Sequence, residues 1–111
     1  MNRSYIYLIL AILFEIVATT YLKKSEEFSK FLPSVITVAG YAAAFYFLSL
    51  TLKQIPIGIT YAIWSGVGII CITIIGALTF KQTPDFPAVI GIIFIIIGVL
   101  IINLFSKMGT H

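Results

Sequence analysis

The stretch FPAVIGIIFIIIGVLIINLFS, Phe86–Ser106, runs for 21 residues without one charged side chain. A helix needs about 20 predominantly apolar residues to cross the hydrocarbon core of a bilayer, whereas a tilted barrel strand needs only about 9–11. Backbone groups in lipid must find their hydrogen bonds inside the segment, so a run of this length reads as a membrane helix. Working back along the chain, Gln54–Phe80 holds 27 uncharged residues and Phe31–Leu52 holds 22. Ser4–Leu22 has 19 residues and a single charge, Glu15. The expected fold is an all-α integral membrane protein. It has one four-helix transmembrane domain over residues 1–111, with helices at about 4–22, 32–52, 56–80 and 86–106.

Composition excludes the other classes. Of 111 residues, 60% are hydrophobic and 10% charged. A soluble domain carries about 25% charged residues, and a chain this short cannot bury so much apolar surface. Disorder needs the opposite composition. The net charge of +3 does not indicate nucleic acid, because the basic residues are single or paired and flank the apolar runs as membrane-interface anchors. One cysteine, Cys71, and one histidine, His111 at the C-terminus, leave no metal site to read. Glu15 interrupts the first apolar run and no small-residue cleavage site follows, so that run is expected to be a permanent span.

The connections are short. Lys23–Glu27 is the most polar stretch, and Pro33 then falls at a helix start, where its missing N–H costs nothing. Lys53–Pro56 and Lys81–Asp85 form the other two links, with Asp85 an N-cap candidate ahead of Pro87. Such links make consecutive helices antiparallel neighbours. Four spans put Arg3, Lys53 and Lys107 on one side of the membrane and Lys23, Lys24, Lys30 and Lys81 on the other. With a three-to-four split, the positive-inside rule barely favours either orientation. Either one or two of these lysines go uncounted by the insertion machinery and one orientation is still fixed, or the chain inserts both ways round and two opposed copies pair as an antiparallel, dual-topology homodimer.

Glu15 lies near the centre of the first span. Hydrocarbon disfavours its charged form, and intramembrane carboxylates are functional by default, with interhelical glue as the structural alternative. Helical spacing places Leu8, Ala11, Ile12, Ala18, Thr19 and Leu22 on its face, and the small members leave room beside the carboxylate as a cavity wall would. On the third span Tyr61 and Trp64 are three apart and share a face; on the second, Tyr41, Ala44, Phe45 and Leu48 do. Aromatic rings around a carboxylate suit a lipophilic cation.

Gly58, Ala62 and Gly66 make a small-residue ridge, and Gly66 with Gly68 reads equally as a hinge or as close packing. The fourth span has nothing to offer a substrate. Gly91, Ile95, Gly98 and Ile102 form its candidate association seam, while Asn103 either bonds a partner or meets the headgroups.

The chain resembles the small multidrug resistance transporters over nearly its whole length. The matching residues are Glu15 with Ala18-Thr19-Thr20, Lys23, Ser25, Phe28, Pro33-Ser34 and Tyr41. The run Pro56-Ile-Gly-Ile-Thr-Tyr-Ala-Ile-Trp-Ser-Gly-Val-Gly68 is the most specific, and Gly98–Asn103 completes the set. The resemblance implies a dual-topology homodimer in the bacterial inner membrane that exchanges protons for aromatic or quaternary ammonium cations. It needs no cofactor beyond the proton gradient and is not an enzyme. By position, Glu15 would bind protons and substrate in turn. Tyr41, Tyr61 and Trp64 would be binding aromatics, with Phe45 on the Tyr41 face. Tyr5 would be a gate or site residue, and Leu8, Ala11, Ile12 and Thr19 would line the cavity. Gly66 and Gly68 would be a helix kink, and Gly91 to Val99, including Ile95 and Gly98, the dimer seam. Ala44 stands where many multidrug members have Ser, Ala18 and Glu27 where Gly is usual, and Thr60 where Ala is usual. These departures bear on substrate range more than on mechanism.

The expected function is multidrug efflux by proton antiport, with two Glu15 side chains titrating as a coupled pair. The alternatives are a guanidinium exporter of the same family and a structural or regulatory membrane subunit. No Walker-type loop is present. One Glu, one Cys and a terminal His supply no intramembrane enzyme. A proton-translocating ring subunit would need fewer spans and no aromatic box.

Overall fold

A computed structural model describes residues 2–107; His111 and its neighbours from 108 onward lie outside the described residues. Four helices follow one another: α1 (Asn2–Lys24), α2 (Phe31–Thr51), α3 (Ile57–Thr79) and α4 (Phe86–Phe105). All four are long and apolar enough to cross a membrane. The chain divides at Gln54–Ile55 into two compact units, α1 with α2 and α3 with α4.

In the first unit α1 buries Ser4, Leu8, Ala11, Ile12 and Ala18, which recur at helical spacing on one face. The buried face of α2 is built of small residues, Thr37, Gly40, Ala44 and Thr51, so two backbones can come close. Its threonines return their hydroxyl protons to their own helix: Thr37 Oγ1 donates to the Pro33 carbonyl at 2.9 Å and Thr51 Oγ1 to the Phe47 carbonyl at 3.0 Å. Outside this packing, Phe47 stacks on Phe14 and Tyr7, with ring centroids 5.8 and 6.2 Å away.

Several boundaries differ by one or two residues from expectation. Lys23 and Lys24 are the last residues of α1, not part of the connection, because basic side chains complement the carbonyl end of a helix. Pro33 sits in the first turn of α2 behind Phe31 and Leu32, still among the positions whose N–H has no helical partner. Leu52 and Phe80 are C-caps, just outside α2 and α3.

The first connection is organised by Ser25, whose side chain is fully buried. Its hydroxyl donates to the Leu22 carbonyl at 2.7 Å and accepts from the Phe28 amide at 3.1 Å. The chain then reverses through three consecutive left-handed residues, Glu26, Glu27 and Phe28, at φ 49°, 65° and 64°. None is glycine, so each carries the steric cost of a Cβ in that region. Glu27 is the position where the family resemblance leads to an expectation of Gly.

In the second unit, α4 starts as expected. Asp85 is the N-cap, its Oδ1 accepting from the Ala88 amide at 3.1 Å, with Pro87 in the first turn. Among its described residues α4 buries none, and Phe86, Phe94, Leu104 and Phe105 are all exposed. An apolar surface of this extent is out of place in water and ordinary against lipid. Asn103 satisfies itself, its amide donating to the Val99 carbonyl at 3.0 Å.

Candidate functional site

Glu15 is the only charge in the interior of any of the four helices, and it is half-buried. The residue one turn on, Thr19, stands on the same face. A helical threonine usually returns its hydroxyl proton to the carbonyl four residues back, as Thr20 does to Ile16 at 2.8 Å. Thr19 instead donates to Glu15 Oε2 at 2.6 Å. Its oxygen also lies 2.6 Å from the Tyr41 hydroxyl on α2.

The proton count orders this chain. Thr19 has one hydroxyl hydrogen, and with Glu15 ionised that hydrogen goes to the carboxylate. Tyr41 must then be the donor to Thr19, giving Tyr41 O–H to Thr19 O–H to Glu15 in one direction. A proton arriving on Glu15 lets the carboxyl donate to Thr19 and the chain reverse, with Tyr41 accepting. Short bonds ending on a charged acceptor are the stronger kind.

The Tyr41 ring is stacked on Phe45 with centroids 6.0 Å apart and planes 14° apart. Phe45 itself is largely exposed. On α3, Tyr61 and Trp64 form a separate edge-to-face pair, centroids 5.2 Å apart at 88°. Trp64 is half-buried and Tyr61 exposed.

Of the residues assigned to the site, the structure brings Glu15, Thr19, Tyr41 and Phe45 together on the first hairpin, and Tyr61 and Trp64 on α3. Tyr5 is 38% exposed. Leu8, Ala11 and Ile12 share the face of Glu15 but are at most 5% exposed, so in one chain they are packed core rather than open wall. Thr60 is also buried, its hydroxyl directed at the Ile55 carbonyl at 3.4 Å. Ala44 lies fully buried one turn from Tyr41.

The glycines separate by what surrounds them. α3 is helical throughout Gly66 and Gly68, and both are buried. A Cβ added at Gly66 would meet Val99 Cγ2 at 2.8 Å. Val99, assigned to the dimer seam, therefore faces α3 of its own chain, because Gly66 leaves a hollow that its branched side chain fills. Gly91 and Gly98 have nothing within 4 Å of the added atom, and Ile95 is exposed between them. Gly40 is a residue that sequence reasoning does not single out. It is buried at a close approach of α1 and α2, and only its place directly before Tyr41 in a run of alanines could have flagged it.

A sequence model for the family described as Small Multidrug Resistance protein matches residues 3–95. The chain belongs to the small multidrug resistance family. It is 51% identical over 109 residues to the multidrug transporter EmrE of Escherichia coli (strain K12), covering 98% of this chain and 99% of that one. It is 47% identical over 109 residues to the quaternary ammonium compound-resistance protein QacF of Klebsiella aerogenes, with the same coverage. Against QacC of Staphylococcus aureus, another quaternary ammonium compound-resistance protein, identity is 43% over 102 residues, 92% of this chain and 95% of that one. Members of this family are transporters rather than enzymes. Among the described residues no cluster of three or more His, Cys, Asp or Glu gathers to hold a metal.

Proposed function

We propose that this chain is a proton-coupled antiporter that exports lipophilic, aromatic or quaternary ammonium cations across a bacterial inner membrane, with Glu15 taking protons and substrate in turn. One observation carries the reading: the only charge in the interior of the four helices, away from their ends, is a half-buried carboxylate, held by Thr19 and, through it, by Tyr41. The substrate class follows from the relatives named as a multidrug transporter and as quaternary ammonium compound-resistance proteins.

The chemistry suits that cargo. A quaternary cation has no proton to donate, so it is recognised by charge and by ring faces. Ionised Glu15 supplies the charge, and the Tyr41–Phe45 stack, tied to it through Thr19, supplies ring faces. A proton on Glu15 removes the charge, so bound proton and bound cation exclude each other. That exclusion is the coupling, and it uses no cofactor.

The working unit in this reading is an antiparallel homodimer of four-helix chains, in which the two copies exchange roles to give alternating access. The near-even division of basic residues supports insertion in both orientations. Gly91, Ile95 and Gly98, open on α4, suit a helix–helix seam. The test is pH-gradient-driven efflux of tetraphenylphosphonium from proteoliposomes. Glu15→Gln keeps the side-chain shape but cannot titrate. It is expected to abolish gradient-driven efflux, and undiminished efflux by that variant would refute the mechanism.

A further inference from the structure

The hydrogen bond between Thr19 and Tyr41 crosses from one helix to the other, so its length is set by helix spacing. What sets that spacing is one residue back on each helix. Ala18 and Gly40 are both fully buried. A Cβ placed on Gly40 would lie 2.9 Å from Ala18 Cβ, 3.3 Å from Ala18 Cα and 3.3 Å from the Phe14 carbonyl oxygen. Two of these neighbours are backbone and the third is a Cβ. No rotamer change moves any of them. At this point α1 and α2 are in contact at the level of their main chains, and the gap admits one methyl group, that of Ala18.

We propose that Gly40 is a positioning residue for the carboxylate site. Its missing side chain lets α1 and α2 close to the separation at which the Tyr41 hydroxyl reaches Thr19, and so fixes the geometry in which Thr19 holds Glu15. Gly40 touches neither the carboxylate nor the stacked rings. It acts through Tyr41, the next residue, and Ala18 acts through Thr19 in the same way. The tolerance is small. An O–H···O bond is good between about 2.5 and 3.0 Å, and by about 3.6 Å it is gone. A second methyl group at the crossing forces the helices apart by about 1 Å if the two carbons are to reach ordinary contact distance. That movement takes the 2.6 Å Thr19–Tyr41 contact beyond hydrogen-bonding range. Because the Tyr41 ring is stacked on Phe45, the same movement carries two ring faces away from the carboxylate. The spacing of a helix pair thus becomes a determinant of cation affinity.

This inference rests on the antiport reading, since it assumes that Glu15 binds the cation. It is tested by equilibrium binding of tetraphenylphosphonium to the purified full chain in detergent at one fixed pH, with Glu15→Gln as the control. Gly40→Ala is expected to bind about ten-fold more weakly, the scale of one hydrogen bond in a charged network. Exchanging the two residues, Ala18→Gly with Gly40→Ala, keeps one methyl at the crossing and is expected to return affinity to within about three-fold of the parent. A purely structural role would add to any other lesion. A positioning role requires its target, so in a Thr19→Val background Gly40→Ala is expected to cost less than about two-fold.

Parental affinity in Gly40→Ala overturns the proposal, as does a full ten-fold loss persisting in the Thr19→Val background. Should Gly40→Ala fail to fold, the exchange variant still decides: affinity near the parent supports the proposal, and affinity as low as that of Thr19→Val refutes it. A parent chain whose binding does not depend on Glu15 removes the antiport reading itself, which separates that failure from failure of the positioning role alone.

Discussion

The two hairpins of this chain are built on different terms. α1 packs along α2 extensively, down to main-chain contact at Ala18 and Gly40, with a hydrogen bond between Tyr41 and Thr19 across the interface. α3 meets α4 far more sparingly. Its close approach, Gly66 on Val99, is glycine against a side chain, and α4 buries none of its described residues. The lesson concerns placement of function. A carboxylate in hydrocarbon needs partners at fixed distances, and fixed distances come from backbone contact. A helix that packs little within its own hairpin keeps an open apolar face for the lipid. The chain gives the first hairpin precision and the second availability.

The strongest way to break the comparison is Thr19→Val, which keeps the shape and removes both hydrogen bonds. Tetraphenylphosphonium affinity is expected to fall about 30-fold, corresponding to about 2 kcal/mol for bonds in a network ending on a charged group. Unchanged affinity would mean that the first hairpin's hydrogen bonds do not serve the site. Next comes a matched pair of added methyl groups, read by unfolding in detergent. Gly40→Ala meets backbone and is expected to destabilise by about 2 kcal/mol, within the usual cost of overpacking. Gly66→Ala meets the Val99 side chain rather than main chain, and about 1 kcal/mol is expected, the low end of the cost of overpacking. Equal costs would erase the distinction between the two interfaces. The smallest effect on the carboxylate site belongs to Asp85→Ala. Loss of this N-cap is expected to cost about 1 kcal/mol, with no change in cation affinity. A large change in affinity would show that the second hairpin's start matters to the carboxylate.

Much of this was legible in the sequence, for reasons that differ by residue. The four helices follow from uncharged runs long enough to cross a membrane, and Asp85 before Pro87 announced its own cap. Glu15 stood out because nothing else inside a span is charged. Thr19 was placed on the right face by spacing alone. Its contact with Tyr41 was not legible, because periodicity within one helix carries no information about the register of the next. Gly40 was hidden for the same reason: a glycine in a run of alanines does not say that a helix crosses there. The left-handed turn through Glu26, Glu27 and Phe28 carried no signal either, since the residue that usually marks such a turn is absent and buried Ser25 supplies the hydrogen bonds instead.

The central claim is that one carboxyl, Glu15, serves protons and cation in alternation. It is tested most directly by measuring tetraphenylphosphonium affinity of the purified chain across pH. Competition requires affinity to weaken steadily as pH falls and protons occupy Glu15, with this dependence absent in Glu15→Gln. Affinity that stays constant across the range in the parent chain would contradict the account.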